Sequence, residues 1–465
     1  FFLPFLYLGL GASALCFFAW NFAVETLGPV RTSVSAYLIP VVAVTAGALA
    51  LGGCVNPTGG NQTDSAPLGS GSGTASGEIT ILDDNTNSVF KDGLIKVFEE
   101  QTGIKVKSYE MANFNDLHDR FATLFAAKDT SFDVIMTWAG WSAEFGQAGW
   151  LQEIDKGTVP SDLIQPALDA VSWNGKIYGL PKFASVQSMF WNKDHFKQAG
   201  LDPEAAPENW DSFVSVAKAV TTDGRYGYTC DMGNPAGAYQ NFLRALLLAG
   251  GELYDAQWNP QLNSEAGVEG LTKMVELLHL HKVMDPASLQ ITNASDLVEV
   301  FAQGNTSIVF NWPFQWAVAN ASGAKTAGVV GNGLIPGIGV RSASIDGSEG
   351  YAINVNSTNK AAAMKWLEFA SSNVAQKQIV EKEGWFPVSK ATLADPATVE
   401  ALPVVKTYEE STKYVTKRYG TPWSSELDQL LSVQVSKAMN QEIEPKAALD
   451  SAQEQLKPVI AKYIG

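Results

Sequence analysis

Between Glu78 and Met136 the apolar residues switch repeatedly between a period of two and a period of 3.6, and this alternation limits the chain to few architectures. Glu78 to Leu82 alternates as a strand. Asp92 to Gln101 carries Leu94, Ile95, Val97 and Phe98 at helical spacing and stops at Gly103. Ile104 to Tyr109 reads as a second strand, Asn115 to Ala127 as a second helix and Phe132 to Met136 as a third strand. A β-α-β-α-β run closes as a parallel sheet with helices on its faces, and such sheets take ligands at the carboxyl ends of their strands. The loops Asp83–Asn87, Met111–Asn113 and Thr137–Trp141 are therefore the first candidates for a binding site.

The stretch Trp173 to Asp202 adds a second constraint. Asn174-Gly175 supplies the φ > 0 positions of a tight hairpin turn, and a strand ends at Leu180-Pro181. A second strand-forming run, Ser185 to Trp191, comes directly after it. A helix then begins with Asn192 or Asp194 as cap and closes at Gly200, before Leu201.

A length of 465 residues exceeds what one hydrophobic core usually supports, so two lobes with an appendage are expected. The net charge of −16 argues against a nucleic-acid partner, because phosphate binding is driven by Lys and Arg. Of the three cysteines only Cys230 lies in the globular part, which leaves no disulfide framework there. The 13 Trp, 13 Tyr and 23 Phe suit apolar ring faces in a cleft as well as core packing.

The first 53 residues are of another kind. Phe1–Val24 and Val34–Leu51 are each about long enough to span a bilayer. Leu27–Val44, LGPVRTSVSAYLIPVVAV, resembles the closing helix of a drug/metabolite transporter repeat, whereas Leu51-Gly52-Gly53-Cys54 resembles a bacterial lipobox. The two resemblances imply opposite sides of the membrane for the chain beyond Cys54. Arg31 is the only basic residue before Lys91, and positive charge stays cytoplasmic, which favours a lipoprotein signal with Cys54 lipidated. A retained two-helix anchor is the alternative. Residues 54–77, rich in Gly, Ser and Thr, read as a flexible tether.

Five segments resemble the family 1 extracellular solute-binding proteins, the sugar receptors of ABC importers. They are ITILDDNTNSVFKDGLIKVFEEQTGIKV, DVIMTWAGWSAEFGQAGWLQEID, GNTSIVFNWPFQWAVA, GSEGYAINVNS and EGWFPVSK, in the order and spacing of the family, and the Trp173–Asp202 stretch matches its first passage between lobes. The resemblance implies a two-lobed α/β fold of the periplasmic-binding-protein type (type II) with hinge crossings. These are expected near Phe183–Val186, Pro336–Val340 and Ala391–Pro396, giving an N-lobe of 78–184 plus 337–393 and a C-lobe of 185–336 plus 394–465. It also implies a permease with its ATPase as partner, an extracytoplasmic location on the outer face of the bacterial cytoplasmic membrane, a monomer, and no cofactor or metal. Where sugar-binding relatives often carry an acid, five positions after Asp133, this chain has Trp138.

Sugar recognition needs flat apolar faces for C–H surfaces and paired polar groups for hydroxyls. Trp138, Trp312, Phe314, Trp385 and Trp423 could provide the faces, and Asp83, Asp84, Asn85, Asn113, Asn311, Glu349 and Arg418 the polar edges. Each ring could instead be a packing residue, Asp83 and Asp84 could instead cap the first helix, and Arg418 could be a surface charge. Catalysis finds less support. There is no nucleophile elbow or phosphate loop, the four histidines are scattered, and adjacent Asp83 and Asp84 on a strand are not expected to reach one site together. The expectation is a non-enzymatic receptor for a neutral di- or oligosaccharide. A carbohydrate-active hydrolase or lyase on a similar scaffold is the alternative.

Overall fold

The computed structural model describes residues 67–68, 77–84, 90–111 and 114–464, with backbone alone at residues 91–92 and 114–115. The apolar N-terminal segments, Cys54, Asn85 and Asn113 lie outside these residues.

Two sheets organise the described chain. In the first, β1 (Glu78–Asp84) lies between β2 (Lys105–Met111) and β3 (Val134–Trp138), all parallel, as the alternation predicted. The antiparallel strand β12 (Glu349–Ile353) continues the sheet from β3 and is flanked by β6 (Gly179–Phe183), giving the order β2-β1-β3-β12-β6. The second sheet has the order β10 (Val330–Gly333), β7 (Ser188–Asn192), β9 (Thr306–Asn311), β8 (Tyr226–Thr229). A hairpin, β4 (Ser172–Trp173) with β5 (Lys176–Ile177), turns at Asn174 and Gly175, whose φ values of 47° and 75° are those of the expected tight turn. β11 (Ala343–Ser344) pairs in parallel with β13 (Val415–Thr416).

The helices form where sequence chemistry allows them to start and stop. Ile95–Thr102 ends at Gly103 in the left-handed conformation and buries Phe98. The Asn192 side chain accepts from the backbone N–H groups of Asp194 and His195 to open the helix Lys193–Gln198. Phe98 and Phe90 pack with Trp366 and Tyr351, while Phe121 and Phe145 pack against Trp141 and Phe125 against Phe145. Trp191 is buried at the second sheet and donates its indole N–H to the Pro203 carbonyl.

The strand expected over Ser185–Trp191 starts later, at Ser188. Residues 184–187 instead run between the sheets. Gln187 donates its backbone N–H to Ile345 O (3.3 Å) and Gly347 donates to Ser185 O (2.8 Å), so 185–187 lie antiparallel to 345–347. On the other side Ala184 and Phe386 exchange both backbone hydrogen bonds. Pro336–Val340 bonds elsewhere: Ile338 and Gly339 donate to Leu248 O at the end of the helix Pro235–Leu248, and Gly337 accepts from Trp210.

Candidate functional site

The strand register brings the first group of side chains together. Glu349, opening β12, stands opposite Trp138 at the end of β3 and opposite Phe183 at the end of β6, while Asp83 and Asp84 end β1 two strands away. Lys182, which precedes Phe183, has no solvent-exposed surface, and its ammonium lies 3.1 Å from Asp83 Oδ1, 3.7 Å from Asp84 Oδ1 and 3.1 Å from Glu349 Oε2. Both neighbouring aspartates thus reach one cation at the end of β1, contrary to the expectation from strand alternation. The Tyr351 hydroxyl donates to Asp83 Oδ2 at 2.5 Å.

The electrostatics arise from three carboxylates and one ammonium out of water. Burial alone favours the neutral amine, but Asp83, Asp84 and Glu349 outweigh it and hold the Lys182 ammonium charged well above its ordinary range. Burial also pushes the Glu349 carboxyl up to about 8, with the pull of Lys182 opposing and the nearby Asp84 reinforcing the rise. Asp83 is raised by burial as well.

Aromatic rings border this charged cluster. Phe183 and Trp385 stack with centroids 4.2 Å apart and planes 10° apart, and Phe314 leans on Trp385 at 5.0 Å. The Trp385 indole N–H is buried without a hydrogen-bond partner. Arg418 lies over Trp138, its guanidinium carbon 3.8 Å from the ring centroid. Trp312 packs against Gly347, where an added Cβ would come within 2.4 Å of the ring. The arrangement gathers buried aromatic rings with buried acceptors and donors at the ends of the strands.

The model of the bacterial extracellular solute-binding proteins matches residues 83–377. The chain belongs to that family. It is 28% identical over 66% of its length, and 71% of the relative's, to a probable amino-acid ABC transporter periplasmic-binding protein of Sinorhizobium fredii. It is 25% identical to the mannitol-binding protein of Pseudomonas aeruginosa, over 74% of this chain and 80% of that one. Among solved structures, maltose-bound MalE3 of T. maritima superposes with a TM-score of 0.77 at 26% identity, over 82% of this chain and 100% of that one. A Listeria monocytogenes substrate-binding protein in complex with cycloalternan superposes with a TM-score of 0.74 at 22% identity, over 83% and 99%. The fold is the two-lobed one of this family.

Within this solute-binding protein, the structure gathers Asp83, Asp84, Trp138, Glu349 and Arg418 in one cluster and Phe314 with Trp385 in an adjoining one. Trp312 joins through Gly347. Two expected residues behave differently. Asn311 spends its side chain locally, donating to Gln315 Oε1 (2.6 Å) and Ala294 O and accepting from the Trp312 N–H, so it shapes the turn that presents Trp312. Trp423 is fully buried, donates to the Tyr254 hydroxyl (2.9 Å) and is met edge-on by Tyr254 and Trp258, so neither its face nor its N–H is available to a sugar. Sequence reasoning overlooked Lys182 and Tyr351. A lone lysine in the apolar strand GLPKF was the available signal, since a buried ammonium requires carboxylate partners.

Proposed function

We propose that this solute-binding protein is the sugar receptor of an ABC importer. It captures a neutral di- or oligosaccharide between its lobes and delivers it unaltered to the permease, whose ATPase subunits supply the energy. The observation that carries this reading is the joint placement of Trp138, Phe183 and Trp385 with Asp83, Asp84 and Glu349 at the strand ends next to the crossing 184–187. Rings that cover C–H surfaces beside carboxylates that accept hydroxyls are what a sugar requires. The names of relatives and neighbours that mention mannitol and maltose agree with it.

The hydrogen bonding suggests the working parts. We take residues 185–187 and 345–347 as paired hinge segments, with the N-lobe built on the first sheet and the C-lobe on the second. Ligand binding closes the lobes, and the closed form is what the permease recognises. We further propose that maturation leaves Cys54 lipidated at the outer face of the cytoplasmic membrane, with residues 54–77 as tether, and that the receptor works as a monomer. Changing Cys54 to Ser should then release the protein from membranes.

A thermal-shift panel of maltose, trehalose, D-mannitol and D-tagatose, with leucine and glutamate as contrasts, tests the ligand class. A ligand at about 100 times its Kd adds about 2.7 kcal/mol to stability. Stabilisation by a sugar that is recovered chemically unchanged supports the reading. Stabilisation by an amino acid alone, or conversion of the sugar, sinks it.

A further inference from the structure

Arg418 has more polar neighbours than it bonds. Its Nε is buried and donates to no partner, and its guanidinium lies in the field of Tyr239, Asp428, Glu349 and Asp346. Tyr239 is 2% exposed and Asp428 8% exposed. The hydroxyl of Tyr239 and Oδ1 of Asp428 are also buried without a hydrogen-bond partner. Tyr239 stands on the helix Pro235–Leu248 and Asp428 on the helix Ser424–Met439, which pack against each other. Neither residue belongs to the strand-end cluster around Lys182. Arg418 joins the two groups because its other contact is the face of Trp138.

Three buried polar atoms without partners, one of them on the cation itself, need an explanation. A buried polar group without a partner forfeits its hydration with nothing in return, and folded proteins leave few of them. Asp428 bears this out: burial pushes its carboxyl up to about 8, against the pull of Arg418. A group that brings hydroxyls would relieve all three atoms at once. One hydroxyl can donate to Asp428 Oδ1 while accepting from Arg418 Nε, and its neighbour can pair with the Tyr239 hydroxyl, which both donates and accepts.

We propose that Tyr239, Asp428 and Arg418 Nε form a second wall of the ligand site that recognises two adjacent hydroxyls of a sugar or polyol. This deepens the sugar-receptor reading and rests on it. Asp428 and Tyr239 set specificity for the diol, while Trp138 and Trp385 supply faces that tolerate many rings.

The test uses the full chain and the panel member, among maltose, trehalose, D-mannitol and D-tagatose, that shifts the wild type most. Its affinity is measured by Trp fluorescence titration for wild type, Asp428→Asn and Tyr239→Phe, together with the Tm of each ligand-free protein. A loss of about tenfold or more in affinity for both variants, with ligand-free Tm no lower than wild type, supports the proposal. Asparagine keeps the shape of Asp428 but cannot ionise, so a carboxyl that serves only the fold would reveal itself by a lower Tm. Affinity within about twofold of wild type in either variant overturns the second wall while leaving the receptor function standing. So does an affinity loss matched by a loss of ligand-free Tm. Failure of every panel member to shift the wild type overturns both.

Discussion

Arg418 covers one face of Trp138, with its guanidinium carbon 3.8 Å from the ring centroid. Arg418 comes just after β13, the strand paired with β11, whereas Trp138 ends a strand of the first sheet, so the contact joins distant parts of the chain. The ring face expected to carry a sugar is therefore shared with a cation. A guanidinium on an indole is worth about 0.5–2 kcal/mol, rising as water is excluded. On the proposed reading a sugar would meet a platform of Trp138 and Arg418 together rather than a bare ring.

Replacing Trp138 with Ala removes that platform and leaves Arg418 without its stacking partner. Sugar affinity should fall by roughly 1–3 kcal/mol, on the scale of a buried aromatic anchor, as should that of Trp312→Ala. Calorimetric titration showing wild-type affinity in both variants would remove the proposed site.

Gly347 is hemmed in by Trp312, and a methyl group there would lie 2.4 Å from the ring. Gly347→Ala should displace Trp312 and strain the 345–347 segment that bonds to Ser185. We expect a lower Tm together with weakened sugar binding. A variant that melts and binds like wild type would show that the Trp312 contact is loose.

Lys182→Met takes the single ammonium from among Asp83, Asp84 and Glu349. Breaking a buried ion pair from one side costs about 3–5 kcal/mol, because the remaining charges are left uncompensated. Denaturant unfolding should show a loss of this order at neutral pH. A loss below about 1 kcal/mol, typical of an exposed pair, would contradict the burial of the cluster.

The raised carboxyl of Glu349 fixes the sign of a pH effect. Its folded value of about 8 lies above the ordinary glutamate value of 4.5, so between these the native state holds more protons than the unfolded chain. Its contribution to stability is present in full below the unfolded value and is lost as pH rises through about 8. The ligand-free Tm should fall between about pH 5 and pH 8, and Glu349→Gln should flatten that slope. A slope unchanged in the variant would assign the effect to other groups.

Much of the first sheet was legible in the sequence because helix and strand periods are local. Gly103, Asn174-Gly175 and Asn192 marked their turn and cap positions through backbone chemistry that needs no distant partner. The candidate rings Trp138, Phe314 and Trp385 were also visible, since ring type and position after a strand can be read directly. Trp423 looked the same by those criteria, yet the rings of Tyr254 and Trp258, far away in sequence, enclose it.

By itself the sequence determined the α/β character, the parallel run through β1, β2 and β3 and the membership in a receptor family, because each depends on residues close together in the chain or on their order. Only the tertiary structure decided which polar groups meet. Lys182 finds Asp83 across 99 positions, and Tyr351 reaches Asp83 across 268. No local pattern encodes such pairings. They arise when strands from opposite ends of the chain are laid side by side and their buried charges must be satisfied within reach of one another.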